Sequence, residues 1–223
     1  MGRVINFAKL DFLTVKPFLS PSNLMGFLVI FVFIGLSSSI LTMSGVLMMY
    51  AAIYTSYPFA VGEKNSIDTL YATLPLEKKD IVTGRYIFAI MLNVLLALII
   101  LLILFILSIS SIEAVNLTEA LVSVVSCFII ASFVESLQLP IYFKLGYAKA
   151  KFLAYFPIFI CSITIAFIPV IFKNINLIKI LNNLYGWIFL NPLVATIVIF
   201  IAWLMVMALS CYISYSLYKN REF

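Results

Sequence analysis

A chain of 223 residues with 65% hydrophobic and only 10% charged positions, and a mean hydropathy of +1.19, is excluded from the soluble enzyme and nucleic-acid-binding classes. Its net charge of +5 falls in short polar breaks rather than on a folded basic face, as expected of loops meeting anionic headgroups. A helix crossing the hydrocarbon core needs about 20 apolar residues, so six of them leave no room for a separate catalytic domain.

The bases fix a topology. Four breaks carry twelve of the fourteen: Arg3, Lys9 and Lys16; Lys64, Lys78, Lys79 and Arg85; Lys144, Lys149 and Lys151; Lys219 and Arg221. The alternate breaks, around Ser37–Ser39 and Ser108–Thr118, carry none, and the one near Phe172–Trp187 holds Lys173 and Lys179. Short cytoplasmic loops collect Lys and Arg. The pattern predicts an all-α membrane protein with six transmembrane helices and both termini cytoplasmic.

In chain order, residues 3–16 read as an amphipathic interfacial helix. Val4, Ile5, Ala8, Phe12 and Val15 share one face, and Pro17 and Pro21 end it. Spans are expected at about 23–38, 42–61, 81–109, 118–138 (ending before Pro140), 152–172 and 190–217, within one domain over 1–223. Cytoplasmic loops fall at 62–80 and 139–151. Residues 173–188 are too polar to span; they read as a short outer helix anchored by Trp187.

The first cytoplasmic loop contains an apolar stripe: Ile67, Leu70, Tyr71 and Leu74 at i, i+3, i+4 and i+7, interrupted by Asp68 and ended by Pro75. Such a stripe needs a cover, either the membrane and bundle or a soluble partner that accepts a helix in a groove. The run continues Leu74-Pro75, then Lys78-Lys79-Asp80-Ile81-Val82 and Gly84-Arg85-Tyr86. The second loop reads Pro140, Tyr142-Phe143-Lys144, Gly146-Tyr147 and Lys149-Ala150, and the tail Tyr218-Lys219-Asn220-Arg221-Glu222-Phe223.

These three patches resemble the cytoplasmic segments of ABC-2-type permeases, most closely those of phenol-soluble-modulin exporters. The resemblance implies a bacterial plasma-membrane subunit of an ATP-driven exporter, paired with a second permease, identical or homologous. It also implies a separate ATPase that binds ATP and Mg, docked on Ile67, Asp68, Leu70, Tyr71, Leu74, Lys78, Lys79 and Asp80, with Lys144 and Lys149 as a secondary contact. The chain has no GxxxxGK[ST] phosphate loop, which is consistent with hydrolysis in a partner and no cofactor here.

Within the spans, Glu135 is an intramembrane acid and so a functional candidate; the bland alternative is headgroup depth and a pairing with Lys144. Tyr50, Tyr54 and Tyr57 form a stripe that either packs or lines a cavity, and Asn93 either lines that cavity or bonds another helix. The scarcity of buried charge argues against ion-coupled transport and favours an amphipathic or hydrophobic cargo, a peptide first. The absence of His, and of Asp in any span, argues against intramembrane catalysis. Cys127, Cys161 and Cys211 read as small apolar side chains. A substrate-binding subunit of an energy-coupling-factor vitamin importer, or a non-transport membrane protein, are the other classes compatible with six spans.

Overall fold

The computed structural model describes residues 2–16, 40–65, 77–109, 117–157, 160 and 192–220. Every regular element among them is helical: α1 (Gly2–Val15), α2 (Ile40–Tyr54), α3 (Tyr57–Lys64), α4 (Lys78–Ile109), α5 (Leu117–Leu145), α6 (147–157) and α7 (Pro192–Lys219). In lipid a helix satisfies its own backbone, which suits these apolar runs. Three stretches are long and apolar enough to cross a membrane, at Lys78–Ile106, Ala120–Leu145 and Val194–Lys219. The expected span at 23–38, the stripe at 67–74, most of 152–172 and the outer helix at 173–188 lie outside the described residues.

α5 is the most enclosed of the three long helices and packs against α7, α2 and α4. One apolar cluster, including Leu47, Met48, Ile100, Leu104 and Val124, fills the end away from the lysines. There the Ser44 hydroxyl lies 3.4 Å from the Cys127 sulfur, joining α2 to α5. A second cluster, including Phe59, Val82, Leu139, Phe143 and Tyr218, fills the basic end. Along α4, Met91, Val94, Leu95, Leu98 and Leu102 are exposed, as a lipid-facing surface would be.

Four expectations need correction. The second span is not continuous to residue 61. Pro58 has no N–H to offer the Tyr54 carbonyl, so the chain turns at Thr55–Ser56 and restarts as α3. The Thr55 and Ser56 hydroxyls donate to the Ala52 and Ile53 carbonyls at 2.9 and 2.6 Å, keeping the break hydrogen-bonded.

The fourth span does not stop before Pro140, which lies inside α5. Proline deprives the carbonyl four residues back, Ser136, of its donor. The Ser210 hydroxyl of α7 replaces it at 2.5 Å. The segment 139–151 is consequently not a loop. Gly146 alone joins α5 to α6, with φ at 76°, a left-handed conformation that favours glycine.

The single apolar face expected of α1, with Val4, Ile5, Ala8, Phe12 and Val15 together, is divided in the structure. Phe7, Ala8, Asp11 and Val15 are buried, whereas Ile5 and Phe12 are exposed. The helix therefore has two apolar sides. One packs against α4 and α3, and Ile5, Phe12 and Leu13 are exposed.

Candidate functional site

The three sequence patches converge at the basic end of the bundle. Gly84, Arg85 and Tyr86 stand near the start of α4 and between them fasten α1, α3 and α7. A Cβ on Gly84 would lie 2.6 Å from the Phe7 Cβ and 3.3 Å from the Val4 carbonyl oxygen, so only glycine permits this approach of α1.

Arg85 is buried, with its Nε 3.9 Å from a carboxylate oxygen of Asp11. Its guanidinium lies 3.9 Å from the centre of the Phe59 ring and 5.6 Å from that of Phe143. The Asp11 oxygen facing Arg85 has no hydrogen-bond partner, so the link is one of charge alone. Burial pushes the Asp11 carboxyl up from 3.8 to about 6, and Arg85 offsets only part of that rise.

Tyr86 ties α4 to α7 through Ser210 at 2.5 Å and Ser214 at 2.8 Å. A serine hydroxyl has one proton, and that of Ser210 goes to the Ser136 carbonyl. Tyr86 therefore donates to Ser210, and Ser214 donates to Tyr86. The chain of bonds crosses α4, α7 and α5 in turn.

The second patch supplies an aromatic floor. Tyr142 stacks on Phe59 at 5.1 Å and on Tyr147 at 6.0 Å, while Phe143 meets Phe59 and Tyr218 edge-on at 5.0 and 5.3 Å. The left-handed Gly146 is what allows Tyr147 to return over Tyr142 so soon after α5 ends. Lys144 and Lys149 are exposed around this floor.

Both stems of the segment 66–76 are tied to this joint. Before it, the Glu63 carboxylate accepts the Ala148 N–H at 2.9 Å, satisfying a free donor at the start of α6. After it, the Lys78 ammonium donates to the Lys219 carbonyl at 3.1 Å and lies 5.8 Å from the Tyr218 ring centre. Asp80 sits favourably in the first turn of α4. A cleft of about 480 Å³, lined among the described residues by Glu77, Lys78, Lys79, Tyr215 and Lys219, opens beside it.

Residues 6–219 match the family described as ABC-2 family transporter protein. The chain belongs to that family. It is a membrane permease of an ABC transporter and a multi-pass membrane protein, a transport subunit of a kind that normally works with an ABC ATPase. No curated protein and no solved structure matches it.

Of the residues singled out for this ABC-2 permease, Ile67, Asp68, Leu70, Tyr71 and Leu74 lie outside the described residues. Lys78, Lys79 and Asp80 gather at the start of α4. Glu135 is not paired with Lys144: it is fully buried and accepts the Asn93 amide at 2.5 Å, while that amide also reaches Ser132 at 3.4 Å. Asn93 thus bonds another helix. Tyr50, Tyr54 and Tyr57 stack in series at 6.5 and 5.5 Å, half-buried.

Asp11, Glu63, Ser210 and Ser214 were not among the sequence candidates. Asp11 stands out only as an acid on an otherwise basic amphipathic helix, and Ser210 and Ser214 only as a polar pair one turn apart.

Proposed function

We propose that this chain is the permease of a bacterial exporter in the plasma membrane, with the basic end cytoplasmic and the segment 65–77 as the docking element for the ATPase. A second permease completes the path. The cargo is amphipathic or hydrophobic, a peptide of the phenol-soluble-modulin kind first, because the spans offer few charges to pair with a polar one. ATP and Mg belong to the partner.

The observation that carries this reading is the tethering of both stems of the docking segment to a single joint. A displacement of 65–77 acts on α6 through Glu63 and on the end of α7 through Lys78. Arg85 and Tyr86, both about two turns along α4 from Lys78, extend the same displacement to α1 and α5. Lys78, Lys79 and Lys219 beside the open cleft suit an acidic rim on the partner. The apolar stripe Ile67, Leu70, Tyr71 and Leu74 supplies the anchors.

The test is affinity purification of the tagged chain from its own membranes, with identification of what co-elutes. An ATPase retained by the parent and lost from Tyr71→Glu/Leu74→Glu is expected. An intact parent that brings down no ATPase overturns the exporter reading. Retention by both samples moves the docking surface elsewhere.

A further inference from the structure

Between α1 and α4 lies a cavity of about 430 Å³ that the joint does not use. Ala8, Phe12 and Val15 form one wall, and Phe88, Leu92 and Leu95 the other. The polar side chains among its described lining are Lys9 and Tyr54. Lys9 is exposed, and no described carboxylate pairs with it. On the α4 side, Met91 and Leu95 also belong to the exposed apolar stripe that continues through Leu98 and Leu102.

We propose that this groove holds one acyl chain of an anionic phospholipid of the cytoplasmic leaflet, with the Lys9 ammonium against its phosphate. Three features argue for that occupant. The volume lies within the range of small-molecule sites, about 300–1,000 Å³. The lining suits a chain with no hydrogen-bonding groups, whereas a peptide would leave its N–H and C=O groups unpaired among aliphatic walls. The one charge at the rim is a cation on an interfacial helix, where basic side chains meet anionic headgroups.

The walls are also held in place. Gly84 against Phe7 and Arg85 against Asp11 fasten α1 to α4 beside the groove, so it is a built slot between two fixed elements. Tyr54 brings the middle ring of the tyrosine stripe to its edge. The proposal rests on the cytoplasmic placement of α1 within the permease reading.

The full chain, purified in mild detergent and mixed with equal amounts of phosphatidylglycerol and phosphatidylcholine, tests it by native mass spectrometry. The parent should retain one phosphatidylglycerol per chain, preferred over phosphatidylcholine by about fivefold, as one lysine near a headgroup supplies. Lys9→Gln should bring the preference toward unity. Leu92→Trp and Leu95→Trp should fill the slot and abolish retention, and if one of them fails to fold the other decides. Lys16→Gln, just past the end of α1 and outside the groove, should change nothing. Equal retention of both lipids by the parent, no retained lipid at all, an equal fall in Lys9→Gln and Lys16→Gln, or lipid still held by the folded tryptophan variants would each overturn it. The readout needs neither ATPase nor cargo, so its failure leaves the permease reading standing.

Discussion

The Ser210 hydroxyl donates to the Ser136 carbonyl at 2.5 Å, and that carbonyl is the one Pro140 leaves without a backbone donor. A defect in one helix is thereby repaired by a side chain of another. Away from water, a bare carbonyl has no alternative partner. Ser210→Ala should cost about 1–2 kcal/mol. Restoring the backbone donor with Pro140→Ala should remove most of that cost, giving a coupling of about 1 kcal/mol. Reversible unfolding in bicelles over the four-member cycle measures it, and additive single effects would refute the repair.

Gly84→Ala should push α1 away from α4, because the new methyl meets the first carbon of the Phe7 side chain and the Val4 carbonyl. Neither can rotate aside. The expected loss is about 1–3 kcal/mol. Phe7→Ala should fail to rescue it, since the colliding Cβ remains, whereas Phe7→Gly should relieve the closer of the two contacts. Cross-linking between cysteines placed on α1 and α4 reports the separation.

Asp11 gives the docking of α1 a pH dependence with a definite sign. Its carboxyl has a folded value of about 6 against an ordinary 3.8, so the folded chain holds a proton that the unfolded chain releases. The contribution is full below 3.8 and is lost as pH rises through about 6. The facing charge from α4 is Arg85. Thermal melts in nanodiscs at pH 5 and pH 8 should therefore differ more for the parent than for Asp11→Asn, with the parent relatively more stable at pH 5. Identical pH profiles would exclude this role for Asp11.

Asn93 is the described hydrogen-bond partner of a wholly buried carboxyl. Asn93→Leu should destabilise the fold by about 1–3 kcal/mol by leaving Glu135 unpartnered. Adding Glu135→Leu should recover part of the loss, because an apolar pair leaves no polar group stranded. A double variant weaker than the single one would show that Glu135 depends on something other than Asn93.

The helices themselves were legible. Apolar length and lysine placement located α1, α4 and α7 to within a few residues at each end. What local pattern missed was settled by partners distant in sequence. Pro140 reads as a terminator until Ser210 is beside it, and Asp11 reads as a water-facing acid until Arg85 covers it. For Glu135 the sequence leaves two readings open, because helical spacing says nothing of what another helix brings. Family likeness picked out Gly84, Arg85 and Tyr86 as a unit, but their three separate tasks follow only from the packing of α1, α3, α5 and α7 around them.

Gly146 has a consequence for how this chain tolerates changes of length. One residue separates two helices there, so an inserted residue would change the direction and rotation with which α6 leaves α5. Tyr147 would leave Tyr142, and Ala148 would present its N–H away from Glu63. Interhelical connections ordinarily accept insertions more readily than the rods they connect. In this permease an insertion scan should find the reverse: a sharp gap at 146, at a place that a hydropathy plot draws as a loop.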